Sequence, residues 1–388
     1  MNVRTIAGKT QTPYNTGVIV RSPNSYKTLN LLEIKRQSLM DNYSFFQKLN
    51  PKAKICPVLK GNAYGHGLKL TGKFVDQEIK PEFICVDSLY EAYELEKIGV
   101  ETKILIMGYT FPENFRFRKI NFHLPLFDLK TLRILNKTQP GINVHLKIDT
   151  GMNRLGIKEK EVEKFIRSLK KFNKVKVAGI YSHLADADNE DESFTKTQAV
   201  KFKETIKFFE NSGFVFKWKH LNATAGAFGF HDEEFNLIRL GLGFYGISPF
   251  SKGTRQNQLL QKNLKPVLKL VTHICQIKQI EKGDTVSYGR TFKAKEKMKI
   301  AVLPLGYYDG LDRRLSNIGK VKIGSVYCPI LGRVCMNAAV IDVSAVKRPY
   351  VGQEVVVYDS VKETSDLIKT IPYEVLANLS ETTRRVLV

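Results

Sequence analysis

From Lys54 to Leu242 the chain alternates short apolar runs with amphipathic stretches. Eight runs have strand character: Lys54–Lys60, Phe83–Asp87, Lys103–Met107, Asn121–Leu126, Asn143–Ile148, Lys176–His183, Trp218–Asn222 and Asn236–Leu242. Ile, Val and Leu fill them on both faces, as in strands buried on both sides. Most are separated by helical periodicity. Leu39, Tyr43 and Phe46 fall at spacings of four and three. So do Phe202, Ile206 and Phe209, before a C-terminal stop at Gly213. Eight strands alternating with helices predict an α/β fold with a (β/α)8 TIM-type barrel. A doubly wound sheet fits the same pattern, because periodicity does not show closure.

After about Arg255 the pattern changes. Val321 and Ile323 alternate with Lys320 and Lys322, Glu354–Tyr358 is rich in Val, and glycines punctuate short runs. Amphipathic helices are nearly absent until the last thirty residues, so a β-rich C-terminal domain is expected. The expected organisation is an extended N-terminal arm over 1–28, a barrel domain over 29–258 and a β-domain over 259–388.

Composition narrows the class. The 388 residues are 43% apolar, enough for two cored domains at roughly 100–200 residues each. No apolar run approaches the roughly 18–20 residues that cross a bilayer. Met1 to Ser22 lacks the apolar segment of a secretory leader. Five cysteines, mostly in apolar contexts and without a CxxC pair, read as reduced thiols of a cytoplasmic protein and give no metal site. The net charge of +23 raises the question of nucleic acid. The lysines, however, are spread along the chain and interleaved with acids, as in Lys158–Lys176. That describes solvated helix faces and a field that attracts small anions.

The chemistry concentrates in short motifs. Val58-Leu59-Lys60-Gly61-Asn62-Ala63-Tyr64-Gly65-His66-Gly67 places a lysine between an apolar strand and a glycine-rich turn. In a barrel, that position faces the active-site mouth. A lysine desolvated there becomes a Schiff-base nucleophile, although spacing alone fits an ordinary surface lysine equally well. The ten residues together resemble the cofactor-lysine motif of the alanine racemases, fold-type III enzymes that use pyridoxal phosphate. Six further motifs of that family follow in order. They are Leu146–Gly156, Gly179–His183, Ile238–Gly246, Val286–Phe292, Pro304–Gly310 and Gly332–Asn337.

The resemblance implies an enzyme that interconverts L- and D-alanine, supplying D-alanine for peptidoglycan precursors. A racemase of another amino acid, or of several, on the same framework is the alternative. It implies that Lys60 carries the cofactor and serves one face of the substrate, with Tyr288 serving the other. It assigns Tyr64, His183, Thr224, Arg239, Gly241 and Leu242 to cofactor binding, with Arg239 opposite the ring nitrogen. Arg154, Met336 and Tyr307 fall to the substrate, and Lys147 matches a lysine that the family commonly carbamylates. It also implies a homodimer with shared active sites. Gly241-x-Gly243-x-x-Gly246 fits a dinucleotide-binding pattern, but neither a helix nor a suitable acid follows, so a phosphate contact is expected there instead. Three departures from the family stand out: Asn222 one position early, Asn337 in place of an aspartate, and Glu381 where a phosphate-binding tyrosine is usual.

Overall fold

The computed structural model describes residues 27–388, and the part of the N-terminal arm preceding them lies outside the described residues. Its first strand is β1 (Leu31–Ile34). Eight short strands follow: β2 (Lys54–Pro57), β3 (Ile84–Val86), β4 (Ile104–Ile106), β5 (Leu124–Leu126), β6 (Asn143–Lys147), β7 (Lys176–Tyr181), β8 (Trp218–His220) and β9 (Leu237–Leu240). They correspond one to one with the eight predicted runs. Parallel ladders join β2 to β9, β3 to β4, and β5 through β8. The remaining seams close through isolated bridges and a few backbone hydrogen bonds. Val58 bridges Cys85 and Leu105 bridges His123. Arg239 N–H donates to the Asn222 carbonyl at 3.0 Å. The ring is therefore a closed eight-stranded parallel barrel, which excludes the doubly wound alternative.

Side chains alternate along these strands, and the alternation sorts them into two groups. Ile55, Ile84, Val86, Ile104, Ile106, Val144, Leu146, Ile180, Ile238 and Leu240 pack outward against the helices in the main core. Cys56, Val58, Phe83, Cys85, Leu105, Trp218 and Leu237 form a separate apolar cluster inside the barrel. Strands β6, β8 and β9 also point polar side chains inward, the buried His145, Lys147, His220 and Arg239. The helix Arg36–Leu49 buries Leu39 and Phe46, and the helix Ser193–Asn211 buries Phe202, Ile206 and Phe209. Both match their predicted stripes.

The second domain is built from β10 (Leu268–His273), β11 (Gln276–Ile280), β12 (Thr285–Val286), β13 (Phe292–Lys293), β14 (Met298–Leu303), β15 (Lys320–Ile323), β16 (Val326–Leu331), β17 (Ala339–Asp342), β18 (Glu354–Val356) and β19 (Arg384–Leu387). Nine strands form one sheet in the order β11-β14-β17-β16-β15-β18-β10-β1-β19, and β12 pairs with β13 as a hairpin. Because β1 sits between β10 and β19, the chain enters through the second domain before it builds the barrel. Among the described residues, no helix is long and apolar enough to cross a membrane.

Candidate active site

The regular strand ends at Pro57, short of the predicted Lys54–Lys60, although Val58 N–H and Leu59 N–H still donate to the Leu240 and Cys85 carbonyls at 2.9 and 2.7 Å. Gly61, Asn62, Ala63 and Tyr64 then take φ values of 62°, 54°, 55° and 51°. Three of these are non-glycine residues in the left-handed region, at a cost of roughly 1–2 kcal/mol each. Their surroundings hold them there. Gly61 N–H donates to Glu91 Oε1 at 2.7 Å, and Leu68 N–H donates to Asn62 Oδ1 at 2.7 Å. His66 Nδ1 lies 3.0 Å and 2.9 Å from the carbonyls of Ala63 and Tyr64. Two carbonyl partners require Nδ1 to carry the proton. Arg385 Nε, from the C-terminal strand, donates to the Gly65 carbonyl at 2.9 Å. This over-determined turn sets Lys60 at the barrel mouth.

Lys60 faces a cavity of about 480 Å³. Tyr64, Lys147, Arg154, His183, Thr224, Arg239 and Gly241 line it with Lys60, so eight of the twelve residues singled out in the sequence converge on one space. The structure adds Asp87, Tyr181 and Tyr373, which the sequence did not single out. Tyr373 packs its ring 5.6 Å from that of Tyr64. A larger cleft opens outward from Lys60 and is lined by Glu381 and Arg385.

One end of the cavity is made for an anion. A Cβ on Gly241 would lie 2.8 Å from the Tyr64 hydroxyl and 3.9 Å from Thr224 Oγ1. Only a glycine lets the backbone come so close to both hydroxyls. Thr224 Oγ1 accepts from Gly243 N–H at 3.1 Å, which leaves its own proton to donate. The N–H groups of Gly241 and Leu242 have no hydrogen-bond acceptor among the described residues. These donors suit a phosphate. The Gly241–Gly246 segment is a short 3-10 turn over Leu242–Tyr245, not the opening of a nucleotide-binding helix.

The other end is cationic. The Arg239 guanidinium is buried, with Nη2 2.8 Å from the Ser182 carbonyl and 2.9 Å from that of Leu221. Its Cζ lies 5.3 Å from the centre of the Tyr181 ring. Burial and the charges of Arg239, Arg154, Lys147 and Lys60 push the His183 pKa down to about 3, so its ring is neutral. Burial and Arg154 bring Lys147 down to about 8.

Leu242, Tyr288, Tyr307 and Met336 do not line the cavity. Leu242 adjoins Gly241, and its side chain belongs to the second-domain core. The other three lie on loops of the second domain that are tied together. Tyr307 N–H donates to the Cys335 carbonyl at 3.0 Å, and Ser287 Oγ donates to the Arg333 carbonyl at 2.6 Å. Tyr288 is 72% exposed and Met336 56%. The two halves of the predicted site thus lie on separate surfaces of one chain.

Residues 34–249 match the family model described as "Alanine racemase, N-terminal domain", and residues 267–387 match "Alanine racemase, C-terminal domain". The chain is 34% identical over 369 residues to Alanine racemase 1 of Caldanaerobacter subterraneus subsp. tengcongensis, across 92% of this chain and 94% of that protein. An alanine racemase of Clostridium difficile 630 superposes with a TM-score of 0.86 at 29% identity, covering 94% of this chain and 96% of that one. The alanine racemase of Bacillus anthracis with bound L-Ala-P gives the same TM-score, identity and coverage.

Proposed function

The chain belongs to the alanine racemase family, and from that premise we propose that it interconverts L- and D-alanine with pyridoxal phosphate held on Lys60, Lys60 and Tyr288 exchanging protons at the substrate Cα. The observation that carries this reading is the cavity in which Lys60, an anion-binding end and a buried arginine meet. The donor set fits the cofactor. Tyr64, Thr224 and the N–H groups of Gly241 and Leu242 would hold its phosphate, and Arg239 would face its ring nitrogen. When bound, pyridoxal phosphate lowers the cost of removing the Cα proton by delocalising the charge left behind.

The remaining work belongs to side chains. Racemisation needs one proton carrier on each face of the substrate. Lys60 is the carrier at the barrel mouth: as the amine it takes the Cα proton from its face while Tyr288 delivers one to the other, and as the ammonium it delivers a proton in the reverse direction. Tyr288 is the carrier on the opposite face. A free tyrosine has a pKa near 10, so it needs donors beside it to work as a base at neutral pH. His183, neutral and lining the cavity, is the group placed to provide one. Arg239 has no lone pair to give and stays protonated. Any acceptor set against it is therefore kept unprotonated, which favours rapid return of the proton to Cα. Arg154 reaches the cavity from the segment after β6 and suits the substrate carboxylate.

Tyr288 does not line the cavity of its own barrel and stands exposed on the second domain. A second copy of the chain, presenting its Tyr288, Tyr307 and Met336 to the Lys60 cavity of the first, completes the site. A homodimer is thus part of the proposal.

The test is direct. Purified protein supplied with pyridoxal phosphate should convert L-alanine to the racemic mixture. Borohydride reduction followed by peptide mapping should then place the cofactor on the Lys60 peptide. Cofactor reduced onto another lysine removes Lys60 from its role. A panel of other L-amino acids, run alongside, decides whether the Glu381 rim widens the substrate range.

Lys147 supplies a pH-dependent prediction. With its pKa brought down to about 8, its neutral amine grows from a minor form at pH 7 to the major form at pH 9. The neutral amine is the form that adds carbon dioxide. We expect a carbamate carbon signal on Lys147 from 13C-bicarbonate to increase across that range in NMR spectra. It should vanish in Lys147→Ala. The resulting anion would face Arg154, and absence of the signal at every pH would mean that Lys147 stays an unmodified amine.

A further inference from the structure

Inside the barrel, three buried histidines stand in single file behind Arg239. Arg239 Nη1 lies 2.8 Å from His220 Nδ1. His220 Nε2 lies 2.8 Å from His145 Nδ1, and His145 Nε2 lies 3.0 Å from His123 Nδ1. The chemistry of one end fixes the whole file. A guanidinium has only donors, so His220 Nδ1 accepts and the His220 proton sits on Nε2. That proton is donated to His145 Nδ1, which places the His145 proton on Nε2. This in turn is donated to His123 Nδ1. On its cavity side, Arg239 Nη2 lies 3.3 Å from His183 Nδ1, so His183 also carries its proton on Nε2. His220 and His145 are each held between a donor at Nδ1 and an acceptor at Nε2, and loss of either partner loosens the tautomer pattern that the four rings share.

The surroundings are built for this file. A Cβ on Gly179 of β7 would lie 2.5 Å from His145 Nδ1, so the glycine makes room for the ring. Tyr181 stacks on His220 at 4.7 Å and 6°. Phe83 presents T-shaped contacts to His123 at 4.7 Å and to His145 at 5.7 Å. His145 and His220 are fully buried, and His123 closes the outer end at 9% exposure. Desolvation holds His145 and His220 well below the usual imidazole range and brings His123 down to about 4. The rings are neutral, as the file requires. Branched apolar side chains fill most barrel interiors. A polar file in that space is tolerated only when every member is satisfied.

We propose that His220, His145 and His123 are positioning residues for Arg239, a one-way hydrogen-bond chain that gives the guanidinium an acceptor of fixed tautomer and so sets the orientation of Arg239 and His183 in the cavity. Its consequence for turnover rests on the racemase reading above. Its chemistry does not.

The experiment uses cofactor-loaded protein labelled with 15N-histidine, without substrate, at pH 7.5. Two-bond 1H–15N spectra should assign the neutral Nε2–H tautomer to His123, His145, His183 and His220. An Nδ1–H tautomer or an imidazolium at any of the three file members overturns the proposal. Two variants then test position. In His145→Leu the His220 Nε2–H loses its acceptor. His220 and His183 should then show mixed tautomers, and kcat should fall by up to roughly tenfold, the size of one lost hydrogen bond between neutral groups, with KM changed less. His145→Asn keeps an acceptor where Nδ1 was, and should hold the His220 tautomer and recover most of kcat. If His145→Leu does not fold, the wild-type tautomers and the Asn variant still decide the matter. Unchanged tautomers and turnover in a folded His145→Leu protein overturn the proposal. Four Nε2–H tautomers in a protein inactive on every amino acid would instead leave the chain standing and sink the racemase reading.

Discussion

Mixing two inactive variants, Lys60→Ala and Tyr288→Phe, is expected to restore racemase activity. Each substitution removes one proton carrier, and such groups contribute roughly 10²–10⁴-fold apiece. Lys60→Ala also removes the proposed point of cofactor attachment, so it should be the deeper loss. The two residues belong to different surfaces of one chain. Lys60 lines the barrel cavity, whereas Tyr288 is 72% exposed on a second-domain loop. If a site is completed across a two-fold axis, each mixed dimer holds one cavity with an intact Lys60 facing an intact Tyr288. Its other cavity lacks both. Random re-pairing makes about half of the dimers mixed, each with one of two sites intact, so recovery should approach about a quarter of the wild-type rate. The measurement is the rate after dissociation and reassociation of equal amounts, with mixed dimers counted by native mass spectrometry. Mixed dimers without recovered activity would show that both residues act within one chain or not together at all.

The barrel was legible in the sequence because strand burial writes itself as apolar runs. Each of the eight runs matches a strand, although β2 ends at Pro57. What the runs hid was their own interior. His145 and Lys147 alternate with Val144 and Leu146, which is a polar face inside an apolar strand. His220 and Arg239 do the same on β8 and β9. Read at a period of two, those positions mark the barrel's inward layer, and the histidine file lies in them. His123 sits in the same alternation, between Phe122 and Leu124 of the predicted run, but its role was not legible, because it comes only from contact with His145. Asp87, Tyr181 and Tyr373 were likewise invisible, since they reach the cavity by tertiary packing from separate segments. The left-handed turn at Gly61–Tyr64 was half legible. Gly61 suggests it, but three non-glycine residues follow in the same conformation, and only their hydrogen-bonded surroundings account for it. The entry of the chain through β1 into the second domain follows from a long-range pairing with β10 and β19, which local pattern does not encode.

Tyr288→Phe on its own is expected to fail asymmetrically. The phenol is lost, but Lys60, Tyr64, Thr224 and Arg239 are untouched, so cofactor and substrate should still bind. Racemisation needs a proton removed from one face and delivered to the other, and one carrier cannot do both. The overall rate should therefore fall by roughly the 10²–10⁴-fold attributed to a general acid–base group. Exchange of the Cα proton with solvent deuterium asks less, because removal and return on one face suffice. Lys60 can support that exchange for the enantiomer whose Cα–H points toward it. In the geometry the family implies, that is D-alanine, and tyrosine serves L-alanine. Exchange monitored by NMR should thus persist for D-alanine and collapse for L-alanine in Tyr288→Phe. Equal loss for both enantiomers would mean that the phenol is not specific to one face. Full racemase activity in the variant would remove Tyr288 from the reaction and leave the second face to Lys60 itself or to another group that lines the cavity, such as Lys147, Tyr181 or His183.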